Sequence, residues 1–325
     1  MENWRAAHAY PMHAILMFVR QRALRVDSNA TTAQRLKRAS SVELKLQRFP
    51  KMKLDRMQDI GGCRVIVKSL QAARRLRADI ERSRTKNYIH FQKDYVAHPK
   101  ESGYRGFHII FRYKGTKAAH SGLFVEIQIR TRAQHAWATA VEVVGMFIGR
   151  SLKTGESHPE WDRFFQLAAF EFSYEKGSEF GDATQREENL LELRAQTNRL
   201  NVFELLDAYS ASAEFLKSLA KSEAKNSYFL IQLDVRETPA DSQVFVWTYP
   251  QRNIEDATAH YSELENKFRS EKRVDVVLVA VESLKSLESA YPNYFADTKE
   301  FIRLLRQSLT GAKHATPNST TNRST

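Results

Sequence analysis

The sequence predicts an α+β protein in which a mixed, mostly antiparallel sheet is flanked by helices. Between residues 63 and 131, short runs rich in Val, Ile and aromatic residues are joined by short loops, a pattern typical of antiparallel strands. Longer stretches with apolar residues at helical spacing lie before and after these runs. Hydrophobic residues make up 42% of the 325 residues, which is enough for a buried core.

The first half of the chain begins with helices and continues with strands. A helix is predicted at 31–47. It is expected to end before Pro50, because proline cannot continue a helix. On this helix Lys37, Ser41 and Lys45 recur every fourth residue and are expected to share a face. The other predicted helices are 2–26, 70–84 and 132–149, and the predicted strands are 63–68, 88–95, 104–113 and 123–131.

Changes of pattern divide the chain into four parts. At about 150 residues per domain, the length is typical of a chain of two domains. After the mixed first half come a helical stretch, a second alternation of strands and helices, and a tail rich in Ser, Thr and Asn that we expect to be disordered. The predicted parts are an α+β domain at 1–150, a helical connector at 151–223, a small α/β unit at 224–310 and the tail at 311–325.

The positive charge of the chain belongs to its first half. Residues 1–150 contain 29 basic and 11 acidic residues, a net charge of +18. Residues 151–325 contain 21 basic and 27 acidic residues, a net charge of −6. A basic domain attracts anions, so the first hypothesis is a polyanionic ligand bound by the first half.

Several classes of protein are excluded by what the sequence lacks. A single cysteine, Cys63, rules out a disulfide framework, and its position in a Val- and Ile-rich strand predicts a core residue rather than a nucleophile. No apolar run approaches the ~18 residues of a membrane span, and residues 1–10 do not resemble a signal peptide, so we expect a cytoplasmic protein. Neither a Walker phosphate loop nor a GxGxxG motif occurs.

The densest group of chemically active side chains lies between Lys93 and His108. In a strand, Tyr104 and His108 point to the same side because side chains alternate. An aromatic ring and an imidazole near Lys93 and Lys100 suit a nucleotide, since bases stack on rings and phosphates attract cations. The same composition is typical of a half-exposed strand with solvated charges, so the residues alone leave both interpretations open.

Two acidic residues are candidate metal ligands. Glu126 lies in a strictly alternating strand, on the face opposite to Val125 and Ile127, where a carboxylate among cations suits a metal ion or a general base. Asp59 precedes the two glycines that open the strand at Cys63. Without further context, Glu126 is more typical of a solvated strand position paired to a neighbour, and Asp59 also fits a turn.

These motifs occur in a familiar order. Arg35-x-Lys37, Ser41 and Lys45 are followed by Asp59 to Arg64, by the stretch from Lys93 to His108, by Glu126-Ile127-Gln128-Ile129-Arg130-Thr131, and by Trp137-Ala138-Thr139. Over about residues 30–145 the chain resembles the synthetase domain of RelA/SpoT proteins. The resemblance implies a nucleotidyltransferase-like fold for residues 1–150, as in monofunctional small alarmone synthetases, here with an extended C-terminus.

The resemblance also implies a reaction. The family transfers the β,γ-pyrophosphate of ATP to the 3′-hydroxyl of GDP or GTP, which gives (p)ppGpp and AMP. By resemblance, Asp59 and Glu126 are catalytic residues and Mg²⁺ ligands, and Glu126 also takes the proton of the acceptor. The implied ATP-binding residues are Arg35, Lys37, Ser41, Lys45 and Arg64, with the two arginines on either side of adenine. The implied acceptor-binding residues are Lys93, Lys100, Tyr104, Arg105 and His108, with Tyr104 stacked on guanine.

Departures from the family pattern narrow these expectations. None of the ten histidines is followed by Asp, so the His-Asp pair of the hydrolase half is missing and we expect synthesis without degradation. Gly106 stands where Ser is common, which would loosen one contact to the acceptor. Glu142 follows Trp137 by five residues rather than by the expected four.

Two alternative functions stay open. The surplus of arginines, including Arg74, Arg75 and Arg77, suits an RNA backbone, so the same site would serve the 3′ end of tRNA, as in some related toxins. The third hypothesis is a non-catalytic RNA-binding sensor. The expected partners are therefore ATP with GDP or GTP, tRNA under the second hypothesis, and further copies of the chain, since plain small synthetases often assemble.

Overall fold

A single mixed sheet organises the protein. The computed structural model describes residues 2–37, 39–147, 158–174, 183–206, 227–234, 243–268, 271, 274–281 and 298–311. The strands are β1 (Thr31–Leu36), β2 (Gly61–Val67), β3 (Tyr88–Asp94), β4 (Phe107–Arg112), β5 (Phe124–Thr131), β6 (Ser227–Asp234), β7 (Gln243–Pro250) and β8 (Val274–Val281). Their order is β3-β4-β5-β2-β1-β8-β6-β7, and every pair is antiparallel except β2 with β5. The predicted fold class is confirmed.

Helices cover the sheet and extend beyond it. They are α1 (Glu2–Ala7), α2 (Ala9–Val26), α3 (Ala39–Arg48), α4 (Leu70–Arg82), α5 (Arg132–Phe147), α6 (Pro159–Ser173), α7 (Ala183–Arg199), α8 (Ile254–Lys267) and α9 (Lys299–Gly311). In the part of the chain that the structure describes, no helix has the length and apolar character needed to span a membrane. The end of the predicted connector, 207–223, and the predicted tail from 312 onward lie outside the described residues.

The predicted helix at 31–47 is wrong in its first part. Strand β1 occupies six of these positions, and α3 begins at Ala39. The strand forms because it pairs with β2 on one side and β8 on the other, two contacts that local spacing does not reveal. Lys37 therefore lies between β1 and α3, and only Ser41 and Lys45 share the predicted helical face.

The two faces of the sheet differ in polarity. Side chains of β2, β4 and β5, among them Val65, Ile109 and Ile127, enter a core that α2 and α4 close. The sequence-based prediction that alternate residues of β5 enter the core is confirmed. The residues between them, such as Glu126 and Gln128, lie on the opposite face.

A second core joins α5, α6, α7 and α9. At its centre the indole N–H of Trp137 donates to the carbonyl oxygen of Phe165 at 2.8 Å, and the rings of Phe164 and Phe301 pack nearby. Tyr104 belongs to this core and connects it to the polar face of the sheet.

The strand predicted to begin at Tyr104 begins three residues later, at Phe107. Gly103 and Gly106 have φ values of +87° and +153°, which residues with side chains rarely adopt and which interrupt an extended strand. A Cβ atom at Gly103 would lie 2.8 Å from the Cβ atom of Ala169, so this loop packs closely on α6.

The C-terminal strands extend the same sheet. β8 pairs with β1, where Val279 lies opposite Arg35, and with β6 along its whole length. Tyr261 and Leu264 of α8 pack on Leu230 and Val276 in a small separate core. The domain boundaries proposed from the sequence stay a prediction.

Candidate active site

A row of polar side chains crosses the face of the sheet opposite to α2 and α4. The strand register sets Arg64 of β2 beside Gln128 of β5, Gln128 beside His108 of β4, and His108 beside Lys93 of β3. Direct partners in a sheet point to the same side, so these four residues share a face. The next positions along this face hold Glu126, beside Gly62, and Arg35, which also lies opposite Gly62.

Asp59 is held by two lysines at one end of this face. Its Oδ2 atom lies 3.0 Å from Nζ of Lys37, and its Oδ1 atom lies 2.8 Å from Nζ of Lys45. Burial raises the pKa of the Asp59 carboxyl, but the attraction of the two ammonium groups is stronger, so the pKa lies below its ordinary value of 3.8. Asp59 is therefore charged at neutral pH and already surrounded by cations.

Glu126 belongs to a closed ring of five side chains. One arm runs from Nε of Arg130 to the Tyr104 hydroxyl at 3.2 Å, from that hydroxyl to Nε2 of His108 at 2.6 Å, and from Nδ1 of His108 to Glu126 at 2.8 Å. The other arm runs from Nη2 of Arg130 to Gln128 at 3.0 Å and from the Gln128 amide to Glu126 at 2.8 Å.

Both arms of the ring deliver hydrogen bonds to the same carboxylate. Arg130 can only donate hydrogen bonds. Along each arm that starts from it, every following side chain accepts one hydrogen bond and donates one to the next, so a single placement of the hydrogens satisfies the whole ring. Each oxygen of Glu126 then accepts one hydrogen bond. Burial alone would raise the pKa of the Glu126 carboxyl. The hydrogen bonds from His108 and Gln128 outweigh this effect, so the pKa lies below its ordinary value of 4.5.

Tyr104 is enclosed by its neighbours. Only 7% of the residue is exposed, and burial raises the pKa of its hydroxyl. Nζ of Lys100 lies 5.1 Å from the centre of its ring, and the guanidinium carbon of Arg130 lies 5.0 Å from it. The ring of Tyr95 meets it edge-on at 5.7 Å. In this arrangement Lys100, Arg130 and Tyr95 together cover the ring of Tyr104.

Lys93 and Lys100 add positive charge above the ring of side chains. Nζ of Lys100 lies 4.9 Å from the centre of the Tyr95 ring, and Nζ of Lys93 lies 5.8 Å from it. Burial lowers the pKa of Lys100, and the charges of Lys93 and Arg130 lower it further, whereas Glu126 raises it. The cations are therefore close enough to repel one another, which is typical of a site that accepts an anion.

The remaining site residues from the sequence differ in where they lie. Ser41 is in the first turn of α3, four residues before Lys45. Arg35 and Arg64 lie on the same polar face of β1 and β2. Arg105 lies apart, because its Nη1 atom donates to the carbonyl oxygen of Val96 and it borders a cavity of about 250 Å³ next to α6.

The sequence pattern assigns no role to two members of the ring, Gln128 and Arg130. Their alternation with apolar residues predicts only that they share a face with Glu126. Arg130 is only 4% exposed, and a buried guanidinium needs partners, which Tyr104 and Gln128 supply. The closed ring depends on contacts between β4, β5 and the loop before β4, so the spacing of one strand could not indicate it.

The two carboxylates fit a magnesium ion that also contacts a nucleotide. Among the described residues no three His, Cys, Asp or Glu side chains form a cluster able to hold a metal ion alone. Mg²⁺ at phosphate-transfer sites commonly uses one or two carboxylates and completes its shell with phosphate and water. Asp59 and Glu126 lie close enough for the charge of Asp59 to affect the pKa of Glu126. The donor set therefore suits this mode of binding.

Comparison with known proteins supports the resemblance seen in the sequence. Residues 34–143 match the family model described as a region found in RelA/SpoT proteins. The GTP pyrophosphokinase YjbM of Bacillus subtilis is 35% identical over 117 residues, which cover 32% of this chain and 51% of that protein. The chain thus spans about half the length of the curated relative that it matches.

Solved structures of small alarmone synthetases give partial matches. The small alarmone synthetase 1 of Bacillus subtilis is 23% identical, with 61% of this chain and 97% of that chain covered and a TM-score of 0.45. The same protein bound to its product pppGpp is 26% identical, with 51% and 78% covered and a TM-score of 0.39. The similarity to RelA/SpoT proteins therefore lies in the matched sequence region at residues 34–143.

Proposed function

We propose that this chain transfers the β,γ-pyrophosphate of ATP to the 3′-hydroxyl of GDP or GTP, which makes (p)ppGpp and releases AMP. One observation carries the proposal: two carboxylates lie at a cation-lined face within the RelA/SpoT region, Asp59 paired with two lysines and Glu126 held by hydrogen bonds to both of its oxygens. The relative named a GTP pyrophosphokinase supports the choice of acceptor.

The chemistry needs positioning and charge neutralisation more than a covalent intermediate. The 3′-oxygen attacks the β-phosphorus, the bond from that phosphorus to the oxygen shared with the α-phosphate breaks, and AMP leaves with that oxygen. Glu126 accepts the proton of the 3′-hydroxyl, since it is ionised and both of its oxygens are already oriented by hydrogen bonds. The fixed ring keeps this base in place during the reaction.

The lysines at Asp59 suit the triphosphate. Lys37 and Lys45 now pair with Asp59, and each ammonium group can turn towards a phosphate that enters beside it. Mg²⁺ held by Asp59 and Glu126 would neutralise phosphate charge when it is bound. Arg35 and Arg64, on the same face, would lie against adenine, since guanidinium planes stack on rings.

The tRNA hypothesis has weaker support. Arg74, Arg75 and Arg82 are exposed on α4, but α4 packs on the core face of the sheet, opposite to Glu126. An RNA bound along α4 would have to pass around the edge of the sheet to reach the carboxylates. We therefore treat tRNA as acceptor, and RNA binding without catalysis, as outcomes of the test.

The test offers the purified chain γ-labelled ATP and Mg²⁺ together with GDP, GTP or deacylated tRNA. The proposal predicts label on GDP or GTP. Label on tRNA alone would overturn the choice of acceptor, and RNA binding without any transfer would favour the sensor hypothesis.

Variants connect the activity to the proposed site. Asp59→Asn and Glu126→Gln are each expected to reduce transfer at least about 10²-fold, as is typical for loss of a general base or metal ligand. Asp55→Asn is the matched control, because Asp55 is an exposed aspartate four residues from Asp59. Full activity in either site variant would contradict the assignment of the carboxylates.

A further inference from the structure

A hydrogen-bonded cluster connects α1 and α8 to the proposed phosphate site. Arg5 of α1 is only 5% exposed, and its guanidinium donates to three groups. Nε donates to the carbonyl oxygen of Lys37 at 3.0 Å, Nη2 to the Tyr261 hydroxyl at 2.9 Å, and Nη1 to Glu265 at 3.2 Å. Tyr261 and Glu265 lie on α8, about 220 residues beyond Lys37 in the sequence.

Glu265 completes the cluster at the start of α3. Its Oε1 atom accepts the backbone N–H of Ala39 at 2.7 Å and the Tyr261 hydroxyl at 2.8 Å, while its Oε2 atom pairs with Arg5. Ala39 is the first residue of the helix that carries Lys45. A carboxylate at this end of a helix is stabilised by the helix dipole and holds the first turn in place.

As a result, Lys37 is fixed at three points. Its N–H donates to the carbonyl oxygen of Ile60 at 2.7 Å, its carbonyl oxygen accepts from Arg5, and its ammonium group binds Asp59. Only the last of these contacts has to change when a phosphate enters. The two backbone contacts fix the point from which the Lys37 side chain extends. Less conformational entropy is therefore lost when its ammonium group binds a phosphate.

We propose that Glu265, together with Arg5 and Tyr261, is a positioning group through which α8 holds Lys37 and Lys45 ready for the ATP phosphates. This inference rests on the proposed function for the identity of the ligand. It assigns the C-terminal unit a role in nucleotide binding rather than in the transfer step.

The test uses the full chain and AMPCPP, a non-hydrolysable ATP analogue. Glu265→Ala is expected to raise the Kd for AMPCPP, and the KM for ATP, about tenfold, because Lys37 and the first turn of α3 lose the contacts that hold them in place, with kcat changed less than about threefold. Glu265→Gln, which keeps an oxygen that can accept from Ala39, is expected to recover part of the affinity. Glu263→Ala is the matched control, since Glu263 is an exposed glutamate on the same helix.

Amide hydrogen exchange of the peptide that covers residues 36–46 provides a readout independent of catalysis. Without nucleotide, Glu265→Ala is expected to speed exchange there, whereas Glu263→Ala leaves it unchanged. Combining Arg5→Met with Glu265→Ala is expected to add little, because both act on the same connection.

The outcomes separate this inference from the proposed function. Wild-type protein that binds AMPCPP but transfers label to no acceptor overturns the proposed function, and the Kd comparison still decides the inference. Unchanged Kd and exchange in Glu265→Ala overturn the inference alone, as does a lowered Tm with unchanged Kd. Wild-type protein that does not bind AMPCPP overturns both.

Discussion

The two carboxylates of the site are held in different ways. Asp59 is bound by the ammonium groups of Lys37 and Lys45, whose side chains are 24% and 29% exposed. Glu126 is 14% exposed and is bound by His108 and Gln128. The buried Arg130 in turn donates a hydrogen bond to Gln128. Long flexible lysines can exchange one anion for another, whereas a closed ring of short contacts cannot rearrange without leaving a buried polar group unpaired.

This difference assigns separate tasks to the two ends of the site. Under the proposed function, the end at Asp59 would adapt to an incoming triphosphate, and the end at Glu126 would keep a base in a fixed position. Substitutions of the two lysines at the first end are therefore expected to change the KM for ATP, and substitutions in the ring at the second end to change kcat. The predictions below test this division, beginning with the largest effect.

Glu126→Gln is expected to lower kcat about 10³-fold, because a neutral amide cannot accept the acceptor's proton. The Kd for AMPCPP measured without Mg²⁺ is expected to stay within about threefold of the wild-type value, since the lysines at Asp59 are untouched. Steady-state kinetics and calorimetric titration measure the two quantities. If Glu126→Gln lost AMPCPP binding but kept kcat, the Glu126 end would serve nucleotide binding rather than the transfer step.

Lys45→Met is expected to raise the KM for ATP about tenfold, because one charge-assisted contact to phosphate is lost and the methionine keeps most of the apolar stem. The kcat is expected to change less than about threefold. Initial rates at varied ATP concentration check the result, with Lys51→Met, an exposed lysine beyond α3, as the control. A fall in kcat at unchanged KM would mean that Lys45 acts on the transition state.

Tyr104→Phe is expected to lower kcat about fivefold to tenfold while the protein stays folded. The change removes the hydroxyl that joins Arg130 to His108 but keeps the ring in the second core. The fixed arm to Glu126 is thereby broken at one point. Initial rates at saturating ATP and acceptor give kcat, and an unchanged kcat would contradict a role for the closed ring.

The smallest expected effect is the pH dependence of stability. The pKa values of Asp59 and Glu126 lie below their ordinary values of 3.8 and 4.5, so both groups stabilise the folded state when ionised. Their contribution is fully present above about pH 5 and is lost as the pH falls through the lowered pKa values. Urea unfolding at a series of pH values is expected to show a loss on the order of 1 kcal/mol, and a smaller loss in Asp59→Asn. An unfolding free energy that rises on acidification would contradict the sign.

Much of the central sheet could be predicted from the sequence because its signals are local. The alternation at Val125 to Arg130 fixes which side chains face the core, and the structure confirms it. The same period predicts that Glu126 and Gln128 share a face, and the hydrogen bond between them agrees with it. Local patterns sufficed here since each strand is short and one face is buried.

The rest depends on contacts between distant residues. Lys37, Ser41 and Lys45 fit a helix by spacing, but pairing with β2 and β8 makes the preceding segment a strand. Lys37 nevertheless reaches Asp59, so the lysines converge through the fold rather than through one helical face. The contact between Arg5 and Glu265 spans 260 positions, and no local pattern could indicate it.

The balance of products tests the central claim most directly. The purified chain is incubated with Mg²⁺, ATP and GDP, and the nucleotide products are separated and counted. Pyrophosphate transfer predicts one AMP for each ppGpp formed, and about 10³-fold slower formation of both products by Glu126→Gln. Formation of ADP or free phosphate in place of AMP would contradict the account.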